Sequence, residues 1–154
     1  MPAEAGPVMS ARPRALGPIR HIVLYGTLRR GYKAHARLKL RSGLNYIGKC
    51  ALRGTLYDLG EYPGFVPGQG TAEGELYRVK DPALLARLDA FEGVDARNPE
   101  RSRYLREVIG VARAAFGHAV RVPAWIYVFN GVTSGLPTVL GGAWPRGSGP
   151  QRRE

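Results

Sequence analysis

The sequence predicts an α+β fold, a closed or nearly closed β-barrel carrying one main helix between strands. Three observations point there. Five segments rich in β-branched and aromatic residues, bounded by Gly, Pro, Asn or Asp, read as strands. One segment, Asp81 to Gly93, carries helix signals at both ends. Across 154 residues, 21 glycines and 12 prolines supply frequent turns.

Taken in order, residues 1–18 contain Pro2, Pro7, Pro13 and Pro18 with little apolar content and read as a flexible leader. The first strand covers 19–25, where Ile22, Val23 and Leu24 run into Tyr25-Gly26-Thr27-Leu28. A weaker helix is expected over Lys33 to Leu40, with Ala34 and Leu38 on one face. Strands follow at 46–58 and 72–79. The main helix then has Asp81 as N-cap, Pro82 at its first position and Gly93 at the position that ends it. Strands at 104–113 and 119–129 complete the body, and 146–154 read as a flexible tail. The domain is therefore expected over 19–145, in one unit long enough to bury a core.

Composition narrows the function classes. No run of about 18 apolar residues exists, so no membrane-spanning helix is expected. The N-terminus lacks a continuous apolar stretch, so no secretory signal is read, and a single cysteine, Cys50, excludes an internal disulfide framework. A cytoplasmic address is expected. The net charge of +11 comes from 19 Arg and 4 Lys spread along the whole chain. A nucleic-acid binder would gather its cations on one stripe with aromatics between them. A solvated, Arg-rich surface is the better reading. No long apolar stripe is left over, so a monomer is expected.

Chemistry is sparse. His21, His35 and His118 are far apart and Cys50 stands alone, so no metal site is expected. There is no G-x-S-x-G elbow, no P-loop, and no G-x-G-x-x-G between strand and helix. Cys50 lies inside an apolar strand and reads as packing.

One acidic residue stands out. Leu84, Leu85, Leu88 and Phe91 form the helix's apolar stripe, and Glu92 follows Leu84 and Leu88 at helical spacing. A carboxylate beside an apolar stripe and in the last helical turn has its neutral form favoured twice, by desolvation and by the helix dipole. That direction suits acid–base work near neutral pH. The helix alone leaves two readings open: a tuned acid, or a side chain turned to water at a frayed end. Asp89 falls on the far side of the stripe and is expected in solvent. At the other end of the chain, a strand ending in Gly26-Thr27-Leu28 leaves N–H groups unpaired, and successive free N–H groups make a seat for an anion such as a carboxylate.

Together these residues resemble the γ-glutamylcyclotransferase-like family. The matching pieces, in the family's order and spanning roughly 19–130, begin with Tyr25-Gly26-Thr27-Leu28-Arg29-Arg30-Gly31 followed by His35. Gly54-Thr55-Leu56-Tyr57-Asp58-Leu59-Gly60 with Tyr62-Pro63-Gly64 comes next, then Glu73-Gly74-Glu75-Leu76-Tyr77. Leu88-Asp89-Ala90-Phe91-Glu92-Gly93, Tyr104-x-Arg106 and Ala124-Trp125-Ile126-Tyr127-Val128 complete the set. The short first motif, with its histidine, looks closer to the γ-glutamylamine branch. The resemblance implies a small mixed β-barrel and a cofactor-free reaction on a small-molecule γ-glutamyl substrate. In that reaction the α-amine attacks its own γ-carbonyl, giving 5-oxoproline and a released amine. Glu92 matches the catalytic glutamate, and Tyr25, Gly26, Thr27 and Leu28 would hold the α-carboxylate or the developing oxyanion. Tyr104 would line the pocket, a reading that stands beside its alternative as a core aromatic. The charged loop Val94 to Asn98 is longer than the resemblance leads one to expect and could shape leaving-group specificity. A non-catalytic binding module of the same fold, taking an amino-acid-like ligand, is the competing reading.

Overall fold

The computed structural model describes residues 17–115 and 118–145. The expected leader and tail fall almost wholly outside that range. Strands β1 (His21–Leu24), β2 (Leu44–Asp58), β3 (Pro63–Val79), β4 (Tyr104–Ala115) and β5 (His118–Phe129) close a barrel in the order β1-β3-β2-β4-β5. Closure is parallel, with Ile22 of β1 opposite Trp125 of β5 and Phe65 of β3 opposite Val128. The β1–β3, β2–β3 and β4–β5 ladders are antiparallel, so the barrel is mixed as expected.

β3 differs from the sequence reading. It starts at Pro63, well before residue 72, because Pro63, Gly64, Pro67, Gly68 and Gly70 look like loop punctuation yet sit in a long bent hairpin. The β2–β3 register shifts between Arg53 and Gly54, and Pro67 pairs with Gly54 at that irregularity, where a missing ladder donor costs little. A Cβ on Gly54 would lie 2.6 Å from the Phe65 ring, so this close crossing needs glycine.

Helices α1 (Lys33–Arg37), α2 (Leu40–Gly43) and α3 (Leu84–Glu92) pack outside the barrel. The expected 33–40 helix is two short pieces, broken where Lys39 takes a left-handed conformation at φ 57°. α3 begins at Leu84, later than the Asp81 cap predicted. Asp81 instead closes the preceding turn, accepting the Ala83 N–H on Oδ1 (3.1 Å) and the Leu84 N–H on its carbonyl (3.0 Å). Gly93 ends the helix at φ 75°, as expected.

The core has two layers. Val23, Tyr25, Leu52, Leu56, Phe65, Leu76, Val111 and Ile126 fill the barrel, with Cys50 buried among them. Burial pushes the Cys50 thiol up to about 12, in keeping with a packing role. Ile22, Leu24, Leu44, Tyr77, Leu84, Leu88, Tyr104 and Tyr127 form the second layer, where the helices cover the barrel wall. β1 is buried on both faces, which explains its unbroken apolar run.

Candidate active site

β1 leaves the barrel at Tyr25, and the next four residues form a turn held from several directions. The Gly26 carbonyl accepts both the Arg29 N–H (3.1 Å) and Arg29 Nε (3.0 Å). Arg29 is itself buried and donates onward to the Trp144 carbonyl (2.8 Å) and the Tyr32 hydroxyl (3.2 Å). His35 of α1 grips the far end through Nδ1 and the Leu28 carbonyl at 2.7 Å. A carbonyl oxygen only accepts, so Nδ1 carries the proton. The first N–H after Tyr25 with an acceptor among the described residues is that of Arg29. Those of Gly26, Thr27 and Leu28 have no acceptor among the described residues.

Tyr25 ties the turn to the barrel. Its hydroxyl donates to the Tyr127 carbonyl (2.6 Å) and accepts the Phe65 N–H (3.1 Å). Both hydroxyl valences are used, so the ring is a strut in the cavity wall. Packing accounts for glycine at position 26. A Cβ there would lie 2.8 and 2.9 Å from the Pro63 ring, so the glycine lets the β2–β3 hairpin close against the turn. Tyr104 braces the same hairpin from the other side, its hydroxyl donating to the Pro63 carbonyl (2.8 Å).

These elements enclose a cavity of about 250 Å³ bordered by every site residue picked out in the sequence: Tyr25, Gly26, Thr27, Leu28, Glu92 and Tyr104. Residues the sequence reading did not assign to it complete the wall: Val23 and Leu24 of β1, with Tyr62, Pro63, Phe91, Arg103 and Tyr127. Tyr62 and Pro63 were visible only as part of a motif without a role. Arg103 carried no signal beyond its place next to Tyr104. Phe91, expected in the helix's buried stripe, is 43% exposed at the cavity edge, because α3 ends there and the stripe runs out of barrel to cover.

Glu92 turns inward to the cavity, not out to water. Burial pushes its carboxyl up to about 7, and the positive charge of Arg103 holds it from going further. No side chain among the described residues forms an ion pair with it. The Tyr104 hydroxyl is pushed up, first by burial and then by Glu92, so it is a neutral donor at any working pH.

Asp89 overturns its expectation. It is half-buried, taking a two-pronged contact from Arg106 (Nε to Oδ1 2.7 Å, Nη2 to Oδ2 3.1 Å) and the Tyr127 hydroxyl on Oδ1 (2.7 Å). Arg106 lies 4.3 Å over the Trp125 ring. The far side of α3 is thus bolted to β4 and β5, which sets where Glu92 points. The Tyr104-x-Arg106 pattern held the signal, since the strand alternation that buries Tyr104 sends Arg106 the same way. The 94–102 loop closes on itself: the Asp95 N–H donates to Ser102 Oγ (2.7 Å), and Asp95 Oδ1 accepts the Arg97 and Asn98 N–H groups (3.1 Å each). None of its residues borders the cavity, whereas Arg103 just beyond the loop does.

Against this geometry, comparison with known proteins is consistent. The sequence profile described as gamma-glutamyl cyclotransferase, AIG2-like, matches residues 22–146. An Escherichia coli K12 relative named gamma-glutamylcyclotransferase family protein YtfP is 42% identical over 89 residues, 58% of this chain and 66% of the relative, just under two-thirds of its length. A Vibrio cholerae relative is 37% identical over 113 residues, covering 73% of this chain and 84% of its own. Among solved structures, a mouse AIG2-like protein superposes with a TM-score of 0.62 at 28% identity, over 79% of this chain and 86% of that one. The solution structure of ytfP from E. coli gives 0.54 at 33% identity, over 79% and 93%.

Proposed function

The chain belongs to the gamma-glutamyl cyclotransferase, AIG2-like family, and on that premise we propose that it converts a γ-glutamyl amide into 5-oxoproline and a free amine. The observation that carries the reading is the pairing, in one cavity, of a carboxyl that burial pushes up to about 7 with three backbone N–H groups that have no acceptor among the described residues. The N–H groups of Gly26, Thr27 and Leu28 suit the substrate's α-carboxylate or the oxyanion that develops at the γ-carbonyl. Ionised Glu92 takes a proton from the α-ammonium. The freed amine attacks the γ-carbon, and the bond from that carbon to the leaving nitrogen breaks as Glu92 returns the proton to that nitrogen. Glu92 then takes the second proton from the ring nitrogen and passes it on, so the amine departs as an ammonium ion and the carboxylate is restored. One group can do both because its pKa lies near the working pH.

Nucleophile and electrophile belong to the same molecule, so the protein's task is to hold the folded conformer and relay protons from the attacking nitrogen to the leaving one. No cofactor is needed for that chemistry. The short Tyr25 to Gly31 motif favours the γ-glutamylamine branch, so γ-glutamyl-ε-lysine belongs among the substrates tried.

The test is 5-oxoproline release from γ-glutamyl amino acids, γ-glutamyl-ε-lysine and simple γ-glutamylamines, with wild type and Glu92→Gln side by side. Wild type should release product, and Glu92→Gln should lose it by roughly 10²–10⁴-fold, the usual contribution of a positioned acid–base group. Equal turnover by the variant would overturn the assignment of Glu92. Saturable binding without product would establish the binding module instead.

A further inference from the structure

Among the described residues, Arg103 is the single cation bordering the cavity, and Glu92 the single acid. Its backbone is pinned on both sides, its N–H donating to the Gly93 carbonyl (3.1 Å) and its carbonyl accepting the Asn130 N–H (2.9 Å). Its side chain is exposed at the rim. There it lies 5.7 Å over the Tyr62 ring and donates through Nη1 to the Tyr62 hydroxyl (3.2 Å). Among the described residues no carboxylate forms an ion pair with it. An arginine held at a known place, with no ion pair among the described residues, is a ready fork for an incoming anion.

The cavity's two anion-binding elements lie at different depths. The Gly26 to Leu28 turn forms the wall next to the buried end of β1, whereas Arg103 is at the open edge. On the cyclotransfer reading, the γ-glutamyl half must fold against the turn with its α-nitrogen and leaving nitrogen both within reach of Glu92. The substituent on the leaving nitrogen then points away from the turn, toward the rim. We propose that Arg103 selects the leaving amine, favouring amines that carry a carboxylate or another anion and disfavouring those that end in a cation. This rests on the cyclotransfer reading alone, and by naming the class of amine released it departs from the γ-glutamylamine branch that the Tyr25 to Gly31 motif favours.

The electrostatics support the same assignment. Across the cavity, the charge of Arg103 holds Glu92 below the value that burial alone would give. A substrate carboxylate on Arg103 cancels that influence, so the correct leaving group makes Glu92 a stronger base as it binds.

The experiment compares kcat/KM for three substrates: γ-glutamyl-alanine, its neutral carboxamide γ-glutamyl-alaninamide, and the cationic γ-glutamyl-1,4-diaminobutane. Wild type, Arg103→Gln and Arg103→Lys are run together, with melting temperatures as the folding control. Wild type should prefer the carboxylate over the carboxamide by about tenfold, the scale of one charge-assisted contact at a partly wet rim, and should use the diamine least. Arg103→Gln should bring the carboxylate-to-carboxamide ratio near one, and Arg103→Lys should lie between. With the carboxamide, the acid limb of the pH profile should move upward in Arg103→Gln, because losing a nearby cation favours the protonated acid.

A wild-type ratio near one, or a ratio that survives in Arg103→Gln, overturns the proposal. So does an equal loss on all three substrates, which would put Arg103 on the γ-glutamyl half. No 5-oxoproline from any substrate with wild type is a different result: it overturns the cyclotransfer reading and this proposal with it.

Discussion

At the scale of single residues, Glu92 makes two predictions that depend on the sign of its shift. Its ordinary value is 4.5 and its folded value about 7. As a base it must be ionised, so the acid limb of kcat/KM should fall near pH 7. Stability runs the other way. Below 4.5 both folded and unfolded chains hold the proton and the group costs nothing. As pH rises from 4.5 toward 7 the unfolded chain ionises first, so wild-type stability declines, levelling off above the folded value. Glu92→Gln removes that penalty and should be more stable than wild type at pH 8 by on the order of 2 kcal/mol, with the two converging in acid. Urea unfolding at pH 4 and pH 8 reads this directly; a variant weaker than wild type at pH 8 would show that the carboxylate has a stabilising partner. Gly26 carries a prediction of another kind. Gly26→Ala drives a methyl into the Pro63 ring, and the turn must move to relieve it. A displacement of this kind at a reacting geometry costs on the order of a hundredfold in kcat/KM, checked by steady-state kinetics on the folded variant.

Two elements bring the site together, and each is held by a side chain remote from the chemistry. The turn after β1 depends on His35, whose grip on the Leu28 carbonyl crosses from α1. His35→Phe keeps a ring of similar size and removes the donor. It should cost about 1 kcal/mol of stability and on the order of tenfold in activity, the second effect exceeding what fold loss alone explains. Helix α3 depends on Asp89. Asp89→Ala leaves the Arg106 guanidinium and the Tyr127 hydroxyl without their acceptor in a half-buried place. A loss of about 2–3 kcal/mol is expected in denaturant unfolding, with activity falling because Glu92 rides on the same helix. Asp89 was expected in water, and the error is instructive. Helical spacing tells which residues share the apolar face, but it does not reveal that a strand presents an arginine to the opposite face. That partner lies 17 residues further along the chain.

Over the whole molecule, the net charge of +11 comes from cations spread along the chain. Several cations are already engaged inside the fold: Arg29 on the Trp144 carbonyl, Arg30 with Glu75, and Arg106 with Asp89. Weak retention on a polyanion column at low salt, lost by about 150 mM, is therefore expected, with a shallow salt slope. Retention that survives physiological salt would mean that the cations line up on a surface made for a nucleic acid. No described helix is long and apolar enough to cross a membrane.

The sequence by itself determined the α+β class, the positions of four of the five strands, the helix that ends at Gly93, and six residues that border one cavity. Those features are local: alternation, caps and apolar spacing act over a few residues, and short motifs keep their order along the chain. Only the tertiary structure decided the rest. The early start of β3 rests on a hairpin partner that tolerates Pro67 at a register shift. The need for glycine at 26 comes from Pro63, the seat of Asp89 from Arg106 and Tyr127, and the place of Arg103 from the closure of the 94–102 loop. Each of these depends on groups that meet when the barrel closes, and burial, packing contact and pKa are set by what surrounds a residue in space.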